Sequence, residues 1–144
     1  MYPKQKLLYD VVKDVKNVLE IGVYMGHSIL LMLISNPKLN ITCIDIDKKF
    51  SKPATDYLAN EFPNATIQFI QGDSLIILQN LKKKYDLFHI DGYHKNHVIT
   101  KELNFCLNLN ENKNFKVVLD DIDCCLPLRK NILSSFNITK NIIP

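Results

Sequence analysis

Residues 18–28, Val-Leu-Glu-Ile-Gly-Val-Tyr-Met-Gly-His-Ser, constrain this chain most, because an apolar run there meets Glu20, Gly22 and Gly26 and then becomes a second apolar run. That order predicts a strand, a glycine-permitted tight turn and a helix, the junction at which an α/β sheet receives a nucleotide-like ligand. Gly22 has no Cβ, so backbone can approach a ligand closely, and Gly26 lets the following helix pack down on the strand. A Gly-x-x-x-Gly alone is also what any parallel α/β protein needs at such a junction, so other residues must decide.

The rest of the chain repeats the same alternation. Leu7, Leu8, Val11, Val12 and Val15 recur at helical spacing, and 17–21 is a short apolar run closed by Gly22. A helix over 28–34 ends at Asn36-Pro37, and the β-branched run 41–46 is the second strand. Ser51 with Pro53 opens a helix that continues to about Glu61. The pattern then predicts a strand at 66–70, a helix from Leu75 to about Lys83, a strand at 85–90, a helix at 96–107, a polar loop at 108–114 and a strand at 115–119. Beyond it, Pro127 can open a helix to about Phe136, and 138–143 can form one last short strand. Strands alternating with helices at this spacing predict right-handed βαβ units. The expected fold is α/β, a Rossmann-like, doubly wound and mostly parallel sheet of five or six strands with helices on both faces.

Composition narrows the class. The 144 residues fit a single domain, and no internal repeat or linker divides 1–144. The longest apolar stretch, 28–34, is far too short to span a bilayer, and the first residues lack the basic-then-apolar order of a secretory signal, so a cytoplasmic protein without a membrane partner is expected. Cys43, Cys106, Cys124 and Cys125 contain no Cys-x-x-Cys pair and read as reduced thiols. The net charge of +3 is mild, Lys82-Lys83-Lys84 falls where a helix C-terminus is expected, and Arg129 is the single arginine. Nucleic acid is not an expected partner.

Acidic residues recur at the predicted carboxyl ends of successive strands: Glu20, Asp45, Asp73, Asp91 and then Asp120-Asp121. They would line one rim of the sheet. An acid after the second strand can accept from ribose hydroxyls, and one after the third from an adenine amino group, although Asp73 can equally be a helix N-cap. With the glycine turn they describe an adenosine-shaped site. No Gly-x-x-x-x-Gly-Lys-Ser/Thr is present, which argues against a P-loop nucleotidase, and Gly22 with Gly26 does not make Gly-x-Gly-x-x-Gly, which argues against a dinucleotide oxidoreductase. No Asn/Asp-Pro-Pro-Tyr/Phe segment suggests a nucleic-acid methylase.

Glu-Ile-Gly-Val-Tyr-Met-Gly-His-Ser at 20–28, Ile-Asp-Ile-Asp at 44–47, Gly-Asp-Ser at 72–74, His-Ile-Asp-Gly-Tyr-His at 89–94 and Val-Leu-Asp-Asp at 118–121 together resemble class I S-adenosylmethionine-dependent methyltransferases, in the branch of catechol-type and macrolide-sugar small-molecule O-methyltransferases. The resemblance covers about 17–121. It implies that Glu20, Gly22 and Gly26 surround the methionine part of the cofactor, Asp45 the ribose, and Asp73 with Ser74 the adenine. Tyr24, Ser28 and Gly72, in the same motifs, count among the cofactor-binding residues. In the metal-dependent relatives the acid ending strand four and the acidic pair ending strand five hold a divalent cation, here Asp91, Asp120 and Asp121. The residue three beyond the first acid, His94, is the candidate base. Carboxylates with open water positions suit Mg²⁺ or another hard divalent cation, which would also offset the repulsion among them.

Plainer readings stay open beside these. Asp91-Gly92 can be a turn, 120–123 a solvated loop or helix cap, and His97 the working histidine on the same helix face as His94. His27 and His89 read as structural. The resemblance also implies more sheet than 144 residues supply after strand five. Either a second copy of the chain or another partner completes the sheet edge and lid, or the chain is a fragment or reduced form that binds cofactor poorly. A non-catalytic methyltransferase-like binding module completed in that way is the alternative to an enzyme acting on a small hydroxylated substrate.

Overall fold

The structure, a computed structural model, describes residues 3–111 and 115–120. The element order is α1 (Pro3–Val11), β1 (Asn17–Ile21), α2 (His27–Ser35), β2 (Asn40–Asp45), α3 (Lys48–Glu61), β3 (Thr66–Gln71), α4 (Ser74–Asn80), β4 (Leu87–Ile90), α5 (Asn96–Leu109) and β5 (Lys116–Leu119). The strands form one sheet in the order β3-β2-β1-β4-β5, and every neighbouring pair is parallel. Period-two alternation divides each inner strand between two cores. Leu19 and Ile21 of β1 join Phe88 and Ile90 of β4 beneath Leu78 of α4 and Ile99 and Leu103 of α5. Val18 and Leu87 face the other way, toward Leu8 of α1, Ile29, Met32 and Leu33 of α2, and Leu58 of α3. The sheet is therefore covered on both faces, as expected. Among the described residues no helix is long and apolar enough to cross a membrane.

Several element ends differ from the sequence expectation, each for a local reason. The first helix stops at Val11, yet Val12 and Val15 remain buried because a turn, Val15 N–H to Val12 C=O at 3.3 Å, carries them into the core. α3 begins at Lys48 rather than near Ser51, since Asp47 caps it by accepting from Lys49 N–H at 2.8 Å. The Ser51 hydroxyl is spent elsewhere, on Asp45, and Pro53 consequently lies inside the helix rather than in its first turn. α4 ends at Asn80, so Lys82-Lys83-Lys84 lie past the helix, in the connection to β4. His94 precedes α5, whose N-cap is Lys95, and so does not share a helix face with His97. The expected elements at 127–136 and 138–143, and Asp121, lie outside the described residues.

Candidate active site

β1 lies where the strand order reverses, with β2 on one side and β4 on the other, and a crevice opens at that point beyond the carboxyl ends of the strands. A cavity of about 570 Å³ occupies it. Of the residues expected to bind cofactor, Gly22, Tyr24, Asp45, Gly72, Asp73 and Ser74 line the cavity, and Asp91 lines it too. Glu20, Gly26 and Ser28 are not among its walls.

Asp45, the last residue of β2, organises the glycine turn. Its Oδ2 accepts from Val23 N–H at 2.8 Å, Tyr24 N–H at 2.9 Å and the Ser51 hydroxyl at 2.8 Å, while Oδ1 accepts from Asp47 N–H at 3.0 Å. Partial burial pushes this carboxyl up, but the hydrogen bonds from Tyr24, Asp47, Val23 and Ser51 outweigh it and hold Asp45 below the ordinary carboxylate range. The same contact holds Tyr24 in the left-handed region, φ 47°, which a side chain rarely adopts without such support.

Gly22, at φ 85°, is required for a reason the sequence did not reveal. A Cβ there would lie 2.2 Å from the Asp91 carbonyl oxygen, so the close approach is to the chain's own backbone beyond β4. Gly26, the N-cap of α2, packs against Ala54 and Leu58 of α3 rather than on its own strand.

On the β3 side, Asp73 caps α4 by accepting from Leu75 N–H at 2.8 Å, and it faces the cavity as well. The N-cap reading of Asp73 is thus what the structure shows, at a residue that also lines the cavity. The Ser74 hydroxyl donates to Glu102 Oε1 of α5 at 2.6 Å. Glu102 is buried, its carboxyl is pushed up by burial, and its Oε2 has no hydrogen-bond partner among the described residues.

Sequence reasoning missed the apolar walls. Ile46, Phe50 and Tyr93 line the cavity while being 73%, 45% and 63% exposed. Tyr24 and Phe50 meet edge to face at 5.9 Å. The available signal was a large apolar residue placed just after an acidic strand end, as Ile46 follows Asp45.

On the β4 side, Asp91 is pushed up to about 6 by burial and by the Asp120 carboxylate, against the opposing pull of His89, Lys4 and His94. His94 Nε2 lies 3.8 Å from Asp91 Oδ1. Lys4 of α1 pairs with Asp120, placing one positive charge at this rim. His89, Asp91 and Asp120 each bring a ligand atom within 4.8 Å of the others, the spacing of donors around one cation. The donor set fits a divalent ion: two carboxylates that repel each other, and an imidazole. Behind it, Glu20 is fully buried, with Oε1 accepting from the Ser28 hydroxyl and lying 3.0 Å from His89 Nδ1. Burial pulls His89 down, but the Glu20 hydrogen bond and the carboxylates of Glu20, Asp91 and Asp120 prevail and raise it.

A family model described as a methyltransferase domain matches residues 19–122. The chain is 31% identical over 90 residues to tapetum-specific methyltransferase 1 of Arabidopsis thaliana, a match covering 59% of this chain and 39% of that protein. Among solved structures it resembles the O-methyltransferase TomG of Streptomyces achromogenes, involved in tomaymycin synthesis and solved with S-adenosylmethionine (TM-score 0.68, 20% identity, 97% of this chain and 62% of that one). It also resembles the S-adenosylhomocysteine-bound methyltransferase PaMTH1 of Podospora anserina (TM-score 0.68, 19% identity, 83% of this chain and 52% of that one). The chain spans less than two thirds of the length of each of these relatives.

Proposed function

The chain belongs to the class I S-adenosylmethionine-dependent methyltransferases, and we propose that it methylates the hydroxyl oxygen of a small hydroxylated substrate with the help of a divalent cation, Mg²⁺ or another. One observation carries this reading. A single cavity is bounded by Asp45 and the 72–74 turn on one side of β1 and by Asp91 and Tyr93 on the other, so the carboxylates proposed for the nucleoside and one carboxylate of the proposed cation site share one space, with His94 and Asp120 beyond its walls. TomG and PaMTH1, which were solved with S-adenosylmethionine and S-adenosylhomocysteine, lend support from the same fold.

When bound, the cofactor supplies an electrophilic methyl group with a neutral thioether leaving group, and the cation supplies Lewis acidity toward the acceptor hydroxyl. This chain's residues do the rest. Asp45, ionised and at the end of β2, would accept from the ribose hydroxyls, and Asp73, whose Oδ1 caps α4, would offer Oδ2 to the adenine amino group. Tyr24, Ile46 and Phe50 give the adenine apolar walls. Asp91 and Asp120 would hold the cation through oxygen, and Asp121, the third carboxylate expected from the sequence, lies outside the described residues. His94 takes the hydroxyl proton at Nε2, while Asp91 beside it stabilises the imidazolium that results.

Calorimetric titration of S-adenosylmethionine into the purified chain, with and without Mg²⁺, tests this reading. Wild type is expected to bind near micromolar, about −8 kcal/mol, and Asp45→Asn to lose at least tenfold while remaining folded by circular dichroism. Absence of binding in wild type under both conditions rejects the reading.

A further inference from the structure

We propose that His89, oriented by Glu20, is itself a ligand to the cation, and that the site consequently selects a transition-metal ion such as Mn²⁺ or Co²⁺ over Mg²⁺. This rests on the metal-assisted reading above and concerns which cation the site takes.

The parallel register places Glu20 of β1 directly beside His89 of β4, and strand alternation turns both onto the sheet face that Asp91 and Asp120 share. Glu20 Oε1 lies 3.0 Å from His89 Nδ1, and both residues are buried. A carboxylate there takes the Nδ1 proton as its partner. The ring's lone pair is thereby left on Nε2, and the Ser28 hydroxyl, bonded to the same Oε1, fixes the carboxylate in turn. The His89 ring makes no other hydrogen bond among the described residues, so the Glu20 contact accounts for one of its nitrogens only. His89 is 3% exposed, and its ligand nitrogen lies within 4.8 Å of carboxylate oxygens of Asp91 and Asp120, the second of which also pairs with Lys4. A divalent cation placed among them would be within reach of all three donors. A carboxylate–imidazole–metal relay is the usual way in which a protein sets the tautomer and orientation of a metal-binding histidine.

Ligand type then decides the ion. An all-oxygen set suits Mg²⁺, which demands octahedral oxygen and sheds water reluctantly, whereas one imidazole shifts preference toward first-row transition metals.

The test is made on the full chain stripped with chelator and titrated separately with Mg²⁺, Mn²⁺ and Co²⁺, with pulsed electron paramagnetic resonance of the Mn²⁺ form to detect a coordinated ¹⁴N. Wild type is expected to show ¹⁴N coupling and tighter binding of Mn²⁺ and Co²⁺ than of Mg²⁺. His89→Gln should lose the coupling and about tenfold or more of Mn²⁺ affinity with Mg²⁺ affinity nearly unchanged, and Glu20→Gln should weaken Mn²⁺ by about 10–100-fold with the coupling retained. If wild type binds Mn²⁺ without ¹⁴N coupling while Asp91→Asn abolishes binding, the role of His89 is overturned and the cation site stands. If no cation binds wild type, the metal-assisted reading fails and takes this inference with it. Should His89→Gln not fold, the coupling in wild type decides alone.

Discussion

At the residue scale, two glycines of one turn do different work, and substitution separates them. Gly22→Ala would drive a Cβ to 2.2 Å from the Asp91 carbonyl at φ 85°, against backbone that cannot rotate away. A loss of about 2–4 kcal/mol in urea unfolding is expected, from left-handed strain and overpacking together. Gly26→Ala meets only side-chain carbons of Leu58 and Ala54, at 3.2 and 3.3 Å, and should cost about 1–2 kcal/mol, mainly for its left-handed backbone. Equal losses at the two positions would refute this account. Asp45 makes a pH prediction in the same turn. Its carboxyl titrates below the ordinary value of 3.8 in the folded chain, so the unfolded state takes up the proton first as pH falls. Its contribution to stability is present above about pH 4 and lost as pH drops through the folded value. Asp45→Asn should therefore lower stability at neutral pH and shrink the wild-type loss between pH 5 and pH 3, as read by denaturant midpoints. An unchanged acid slope would mean that the four hydrogen bonds do not favour the charged form.

At the element scale, α3 shows how far local signals reach. Ser51-x-Pro53 is a sound helix start on its own, and it lost to Asp47 because the Ser51 hydroxyl is drawn to Asp45, a tertiary demand that no local pattern encodes. The consequence is a proline within the helix, where the missing N–H removes the bond to the Lys49 carbonyl. Pro53→Ala should therefore stabilise the protein, by about 1–3 kcal/mol, and raise its thermal midpoint; a destabilised variant would show that the proline is tolerated without strain. β1 was legible to the residue because an apolar run, a polar neighbour and Gly22 bound it on both sides. Part of the acidic rim was legible for a related reason: Asp45 ends β2, and Asp91 and Asp120 directly follow β4 and β5, where the apolar runs stop, whereas Glu20 lies within β1 and is buried, and Asp73 caps α4 two residues past β3. The Glu20–His89 contact was not legible. It depends on the register between two parallel strands whose paired residues lie 69 apart in sequence, and that register is set by core packing rather than by either segment. The Ser74–Glu102 bond, which joins α4 to α5, escaped for the same cause.

At the scale of the whole molecule, the cavity belongs to no single element. Its walls come from the turns after β1, β2, β3 and β4, and those turns are tied to one another: Asp45 holds the Val23–Tyr24 backbone, Gly72 N–H donates to the Asp45 carbonyl at 2.9 Å, and Asp91 N–H donates to the Ile21 carbonyl at 2.8 Å. A ligand filling the crevice should thus stiffen four separate stretches of sequence together, while distant surfaces stay as they were. Hydrogen exchange with and without saturating S-adenosylhomocysteine reads this directly. Added protection is expected in peptides spanning 22–24, 45–51, 72–75 and 91–93, and none in α1 or the second half of α5, which contribute nothing to the walls. At a ligand concentration about one hundredfold above Kd, global unfolding should become harder by about 2.7 kcal/mol, and Asp45→Asn should lose that gain. Protection confined to the 22–24 turn would mean that the ligand meets one loop instead of a crevice at the strand reversal. Protection in all four stretches, lost together in Asp45→Asn, would show that a single carboxylate at the end of β2 governs the nucleoside end of the site, because the turns it ties are then ordered as one unit.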